Sequence, residues 1–379
     1  MTDAQTRDAN APSNPAGRLT AGAPLAGPQP PPAPRPAAPP SPAPPAQPPP
    51  APRRPASPAP SDVWGQIHRI AEGVVANIET VISGKPDRIR LAVTVLFAGG
   101  HLLIEDVPGV GKTMLARAMA ASLSASVHRI QFTPDLLPSD VTGAPIYNQE
   151  TREFEFEAGP IFANIVIGDE INRASPKTQS ALLECMEEGQ VTVDGVSHRL
   201  DEPFHVIATQ NPIDMDGTFG LLEAQRDRFM ALLTMGYPDE TAERALVKAR
   251  GAIDPIAELA PIASIELVRE VIARCKRVYV SDAAMEYAVA IVRATRMEES
   301  LRLGASPRAA IQLVAAAKAF AATHGRGFVL PDDVDRLAVP VLTHRLLPAV
   351  PTRGQDVSAQ LAELIERVVA SVPVPLPAS

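Results

Sequence analysis

The segment at residues 102–120 constrains the fold of this chain more than any other stretch. An apolar run, Leu102-Leu103-Ile104, precedes the loop Asp106-Val107-Pro108-Gly109-Val110-Gly111-Lys112-Thr113, and a helix-favouring run, Met114 to Ala120, follows it. The pattern predicts a strand, a glycine-bearing loop and a helix. In that arrangement the N–H groups of the loop and the N-terminus of the helix form a cradle for phosphate.

The loop departs from the usual G-x-x-x-x-G-K-[ST] pattern at one position. Asp106 stands where the first glycine is expected, and Pro108-Gly109 supplies the turn instead. We expect Lys112 to reach the β- and γ-phosphates and the Thr113 hydroxyl to bind Mg²⁺. The alternative, a chance Gly-Lys-Thr in a loop, is disfavoured by the flanking strand and helix. The predicted nucleotide-binding residues are Asp106, Val107, Pro108, Gly109, Val110, Gly111, Lys112, Thr113 and Met114.

Proline is concentrated at the N-terminal end of the chain. Of the 41 prolines, 21 lie in residues 1–60, where Leu19 and Leu25 are the only large aliphatic residues. Such a segment buries too little apolar surface to offset its chain entropy, so we predict a disordered tail, partly polyproline II. The chain has a formal net charge of −8, and the tail contributes +3, which leaves −11 for residues 61–379. An acidic body disfavours nonspecific nucleic-acid binding.

Targeting and redox signals are weak in this sequence. The N-terminal residues lack the charged and apolar regions of a signal peptide, and no apolar run approaches membrane-spanning length. Cys185 and Cys275 lie far apart, without Cys-x-x-Cys spacing, and are expected to be buried reduced thiols. We therefore expect a cytoplasmic protein that does not insert into membranes.

Residues 61–237 alternate predicted strands and helices, which favours an α/β fold with a parallel sheet covered on both faces. Two short hairpins are predicted within this region, at residues 144–158 and 191–196. From residue 238 to 372 we predict an all-helical domain, with no convincing strand between its helices, and a flexible C-terminus at 373–379. The predicted helices of that domain are 239–250, 264–277, 282–298, 307–323, 331–346 and 355–371.

Polar residues follow two of the predicted strands. The apolar strand 164–168 ends in Asp169-Glu170, one βα unit after the phosphate loop. Ligands in open α/β sheets bind at such carboxyl ends, so Asp169 is predicted to hold Mg²⁺ and Glu170 to orient the attacking water. Paired carboxylates after a strand are also common surface charge. Asn211, after strand 204–209, could reach the γ-phosphate, or could be a turn residue before Pro212.

These motifs together resemble the MoxR family of AAA+ ATPases, and the resemblance covers about residues 62–372. It implies an AAA+ parallel-sheet P-loop core followed by an all-helical lid domain. The matching runs are Asp106–Thr113, Gln131–Asp140, Gly159–Phe162, Asp169–Arg173, Gln179–Glu184, Ala208–Pro212, Glu223–Gln225 and Asp227–Phe229.

The resemblance also implies roles for individual residues. Asn211 becomes the sensor-1 residue, and Arg228 the arginine finger offered to the ATP of a neighbouring subunit. Arg226 is the second candidate for the finger, and a plain salt bridge is the simplest alternative for Arg228. Arg308, at a helix start with Ser306 as cap and Pro307 at the first position, becomes the sensor-2 arginine that touches the γ-phosphate.

The function implied by the resemblance is a Mg²⁺-dependent ATPase that forms a ring, expected to be a hexamer, with each ATP between subunits. Family members act as chaperone-like remodellers of protein complexes, often beside a partner with a von Willebrand factor A domain. In relatives the two hairpins project toward a central pore. One alternative is an ATP-driven nucleic-acid motor, which the acidic body disfavours. Another is a nucleotide-gated scaffold without turnover, which the catalytic set Lys112, Glu170, Asn211 and Arg228 disfavours.

Overall fold

The computed structural model describes residues 60–211, 218–248, 255–350 and 356–375. All of them lie within the unit Ser57–Ser379. The predicted tail, residues 1–60, lies outside the described residues except for Pro60, which begins the first helix. Within the described ranges, no helix is both long and apolar enough to cross a membrane.

The central sheet has five strands, β1 (Leu102–Glu105), β2 (Val127–Gln131), β5 (Ile165–Asp169), β8 (His205–Gln210) and β9 (Ala231–Leu233). These strands are parallel, and their order in the sheet is β2-β5-β8-β1-β9. Between them lie two antiparallel pairs, β3 (Gly143–Asn148) with β4 (Glu153–Ala158) and β6 (Gln190–Val193) with β7 (Val196–Arg199). The parallel sheet and both hairpins confirm the predicted α/β core.

Helices cover both faces of this sheet. They are α1 (Pro60–Glu79), α2 (Pro86–Phe97), α3 (Lys112–Ser122), α4 (Pro138–Thr142), α5 (Pro176–Glu188) and α6 (Glu223–Arg226). Successive side chains of a strand point to opposite faces. Leu102 and Ile104 accordingly pack in one cluster with α1, α2 and α3, whereas Leu103 packs in a second cluster with α5. The short α6 ends at Arg226, two residues before Arg228.

The two hairpins contact each other through an aromatic pair. The ring of Phe156 on β4 stacks on His198 of β7, with centroids 3.9 Å apart. The β6–β7 turn, Asp194-Gly195, has φ values of 49° and 80°, as the predicted Asp-Gly hairpin turn requires. Tyr147 and Phe154 pair across β3 and β4, and their side chains are exposed.

The lid segment is built mainly of helices: α7 (Glu240–Lys248), α8 (Ile265–Cys275), α9 (Asp282–Thr295), α10 (Pro307–Thr323), α11 (Pro331–Leu342) and α12 (Asp356–Ser371). The prediction that it contains no strand was wrong, because β10 (Leu301–Leu303) pairs antiparallel with β11 (Leu347–Pro348). A pairing of two and three residues is too short to give a periodic signal. The predicted helix 331–346 also ends early, and a 3₁₀ turn follows at Thr343–Arg345.

Candidate functional site

The phosphate loop lies at the carboxyl edge of the sheet, between β1 and α3. Gly109 and Gly111 have φ values of 85° and 94°, in the left-handed region that favours glycine. A Cβ added at either position would meet no protein atom within 4 Å. The loop therefore borders open space beside the N-terminus of an 11-residue helix, which suits an anion.

Lys112 begins α3 and points back over the loop. Its Nζ donates to the backbone oxygens of Asp106, at 2.6 Å, and Gln210, at 3.5 Å. Burial lowers the pKa of Lys112, while the carboxylates of Asp106 and Asp169 oppose that shift. The ammonium group is thus held where β1 and β8 end, next to the turn.

The Asp106 carboxylate accepts from two backbone N–H groups. Its Oδ1 accepts from the Val107 N–H at 2.8 Å, and its Oδ2 accepts from the Gly236 N–H at 2.6 Å. The carboxylate is buried and ties the phosphate loop to the chain that leaves β9. The departure from the usual glycine at this position therefore has a structural role.

Asp169 and Thr113 meet at the same edge. Thr113 Oγ1 lies 3.1 Å from Asp169 Oδ2, and Thr209 Oγ1 donates to Asp169 Oδ1 at 3.2 Å. Mg²⁺ prefers oxygen ligands, and a threonine hydroxyl beside a carboxylate is a donor set that fits it. The two predicted metal ligands are therefore close together, although they are 56 residues apart in sequence.

Glu170 follows Asp169 in a left-handed backbone conformation, with φ at 57°. Such a conformation is uncommon for a residue other than glycine, and functional sites are one of the places where it is found. Its backbone N–H donates to Thr209 Oγ1 at 3.0 Å. Its Oε2 accepts from Gln131 Nε2 at 3.1 Å and from an Arg173 guanidinium nitrogen at 2.9 Å.

Asn211 lies directly after β8, the strand between β1 and β5. It is buried, and its backbone oxygen accepts from Asn172 Nδ2 at 3.4 Å. Strand order therefore places Asn211 between the phosphate loop and Asp169. The described residues offer no hydrogen-bond partner to Asn172 Oδ1.

The two predicted arginines lie elsewhere. Arg228 Nε donates to Glu187 Oε2 at 2.9 Å, and Arg308 donates to Glu187 Oε1 at 2.9 Å. The preceding residue, Met186, accepts from the His101 ring at 3.0 Å, and His101 directly precedes β1. Both arginines therefore lie near the amino edge of the sheet, and the structure does not bring them to Lys112 of their own chain.

Arg226, the second candidate for the finger, has a different environment. Burial lowers its pKa, and the charges nearest to it include Glu223 and Glu105. Glu105 is the last residue of β1, and burial raises its pKa. Arg226 thus faces inward, whereas the Arg228 side chain is 28% exposed and shares Glu187 with Arg308.

Comparisons with known proteins agree with this geometry. Residues 101–231 match the family model described as ATPase family associated with various cellular activities, and residues 293–364 match the AAA lid domain. Chaperone MoxR1 of Mycobacterium tuberculosis is 37% identical over 320 residues, which is 82% of this chain and 83% of that protein. Protein MoxR of Paracoccus denitrificans is 31% identical, over 82% of this chain and 97% of its own.

The chain belongs to the MoxR family of AAA+ ATPases. The protein YeaC of Bacillus subtilis is 48% identical over 314 residues, which is 82% of this chain and 96% of that protein. A crystal structure of a candidate ATPase from Cytophaga hutchinsonii superimposes with a TM-score of 0.75 at 35% identity. The superposition covers 83% of this chain and 98% of that one.

Three residues of this MoxR-family site were missed by the sequence analysis. Arg129 on β2 donates to Asp169 at 2.6 Å, and Gln131, two residues on, contacts Glu170. Their alternation along a strand next to Asp169 and Glu170 was a usable signal. Glu187 had no signal, because a glutamate at the end of an amphipathic helix predicts only a solvated face.

Proposed function

We propose that this MoxR-family protein is a Mg²⁺-dependent ATPase that works as a ring, expected to be a hexamer. Each ATP would lie between two subunits, and its hydrolysis would drive chaperone-like remodelling of protein complexes. The observation that carries the proposal is the division of the site between the two edges of one sheet. Lys112 and Asp169 lie at the carboxyl edge, whereas Arg228 and Arg308 lie at the amino edge.

The length of β1 separates these two groups. At about 3.3 Å per residue, its four residues span roughly 13 Å. Arg228 and Arg308 would therefore complete the site of a neighbouring subunit, and Glu187 would hold them together for it. An arginine supplied in this way stabilises transition-state charge and typically accelerates hydrolysis by about 10³–10⁵.

At the carboxyl edge, Lys112 and the loop N–H groups would hold the phosphates. Thr113 and Asp169 would hold Mg²⁺, which when bound neutralises developing charge on the phosphates. Glu170 would orient and polarise the attacking water, and Asn211 would hydrogen-bond the water or the γ-phosphate. The proposal is supported by the meeting of Lys112, Thr113 and Asp169 at one edge of the sheet.

Two inactive variants test the shared site. Glu170→Gln should bind ATP but not cleave it, and Arg228→Ala should bind ATP with turnover lowered by at least ~10². In rings mixed at equal ratio, roughly one site in four would combine an intact Glu170 with an intact Arg228 from its neighbour. We therefore expect about a quarter of wild-type turnover to return on mixing.

Lys112→Ala is the matched negative control, because it should lose nucleotide binding and hydrolysis together. Arg199→Ala, which removes an exposed arginine from β7, should leave turnover unchanged. A mixture as inactive as its two components would contradict shared sites. Rapid hydrolysis by Glu170→Gln alone would show that Glu170 does not orient the attacking water.

A protein client is supported by the β3–β4 hairpin. Its tip carries an exposed aromatic pair, Tyr147 and Phe154, with centroids 5.4 Å apart. Every second residue of β4 from its start is a glutamate, three in all, and their charges would repel a phosphate backbone. The name of one relative, Chaperone MoxR1, is consistent with a protein client.

We propose a von Willebrand factor A domain protein as partner. Capture by the Glu170→Gln variant with ATP would identify it.

A further inference from the structure

The carboxylate of Asp169 has a charged partner in this structure. Arg129 Nε donates to Asp169 Oδ2 at 2.6 Å, shorter than either threonine contact to the same carboxylate. The Asp169 side chain is 7% exposed, whereas that of Arg129 is 56% exposed. A buried carboxylate is costly without a compensating charge, and Arg129 supplies that charge from solvent.

Lys112, the other cation nearby, does not take this place. Its Nζ is engaged by the backbone oxygens of Asp106 and Gln210. In this structure, therefore, Arg129 neutralises Asp169 and Lys112 holds the loop.

Arg129 binds the carboxylate that a metal ion held by Thr113 and Asp169 would also need. Oδ2, which Arg129 binds, is also the oxygen that Thr113 approaches most closely, at 3.1 Å. A divalent cation held by Thr113 and Asp169 would share this carboxylate with Arg129. Two cations at one carboxylate repel each other, so the guanidinium and the metal ion would compete for it.

Arg129 also connects Asp169 to Glu170. A second nitrogen of its guanidinium donates to Gln131 Oε1 at 2.9 Å, and Gln131 Nε2 donates to Glu170 Oε2 at 3.1 Å. One hydrogen-bonded chain along β2 thus joins the predicted metal ligand to the predicted water-orienting carboxylate. At the far end of that chain, Arg173 also donates to Glu170 Oε2, at 2.9 Å.

We propose that Arg129 is a positioning residue that occupies Asp169 in the nucleotide-free chain and is displaced when the metal–nucleotide complex binds. Its departure from Oδ2 would also loosen Gln131, one of the two donors to Glu170 Oε2, the other being Arg173. This inference rests on the proposed function, because it requires Mg²⁺ and nucleotide at Thr113 and Asp169.

The test measures metal binding directly, with Mn²⁺ as the probe and ADP as the nucleotide, so that no turnover is involved. Arg129→Gln removes the competitor, and its Mn²⁺ affinity should rise by at least about threefold. Arg129→Lys keeps the charge and should stay nearer the wild type. Arg199→Gln removes the same charge from β7 and should leave Mn²⁺ affinity unchanged.

A second experiment would detect the displacement of Arg129 in the full-length wild type, by NMR of arginine Nε–H groups. The Arg129 signal, assigned by its loss in Arg129→Lys, should shift when Mg²⁺ is added to the ADP complex and not with ADP alone. This measurement distinguishes displacement from a general charge effect, and it remains decisive if Arg129→Gln does not fold.

An Mn²⁺ affinity in Arg129→Gln that is unchanged or weaker would overturn the inference, and so would an Arg129 signal that Mg²⁺ leaves in place. Either result would leave the proposed ATPase intact, provided that the wild type binds Mn²⁺ and ADP. If the wild type bound neither Mn²⁺ nor ADP, that result would contradict both the proposed function and this inference.

Discussion

The guanidinium of Arg345 donates from Nε to Oδ1 of Asp227 at 2.8 Å. The Arg345 side chain is only 1% exposed, and burial lowers its pKa to about 10, so it remains charged at neutral pH. Ser306 Oγ, at the start of α10, donates to the same carboxylate at 2.9 Å. Two lid residues thus fix Asp227, and with it the backbone that presents Arg228.

Removal of Arg345 should be strongly destabilising. Arg345→Ala leaves the Asp227 carboxylate without its buried partner, and we expect the free energy of unfolding to fall by about 3–5 kcal/mol. Arg302, whose contact with Glu223 is 3.8 Å long and exposed, offers a matched control. Arg302→Ala should lower the free energy of unfolding by less than about 1 kcal/mol. Urea denaturation of both variants measures the difference, and equal losses would contradict the buried-pair interpretation.

Asp106 should matter for stability as well as for nucleotide binding. Asp106→Gly restores the glycine of the usual motif but removes the acceptor of two backbone N–H groups, at Val107 and Gly236. We expect a loss of about 1–3 kcal/mol in unfolding free energy for each donor left unpaired. Asp106→Asn keeps one acceptor oxygen, so its free energy of unfolding should lie between those of the wild type and Asp106→Gly. Wild-type stability in Asp106→Gly would show that the carboxylate does not tie the loop to β9.

Stability should fall as the pH drops below 6.5. Burial lowers the pKa of His101 from 6.5 to about 4, and burial with the nearby His101 lowers that of His205 to about 3. Above pH 6.5 both rings are neutral in the folded and the unfolded chain. Below it the unfolded chain binds protons that the folded chain cannot, so unfolding becomes easier.

Each of these histidines should lower the free energy of unfolding by about 2 kcal/mol between pH 6.5 and pH 5. Denaturant unfolding at several pH values in that range measures the slope. His205→Asn keeps a donor for the Gly100 oxygen and should remove one histidine's share of it. An identical slope in the variant would show that His205 does not contribute.

Much of the core was predictable because its signals are local. The apolar runs at β1, β5 and β8 and the turn residues at Gly109, Gly111 and Gly195 each specify a conformation over a few neighbouring residues. Where the signal was short or depended on distant pairing, prediction failed. The β10–β11 pair joins residues more than 40 positions apart, and neither strand is long enough to show a period of two.

The sequence by itself determined the succession of strands and helices along the α/β core, the phosphate loop and the acids that follow β5, because periodicity and turn chemistry act along the chain. The tertiary structure alone decided which charges meet. Glu187 contacts Arg228 and Arg308, which lie 41 and 121 residues away, and Arg129 reaches Asp169 because β2 lies beside β5. Ion pairs depend on the distance between atoms in space, and strand order and helix packing set that distance.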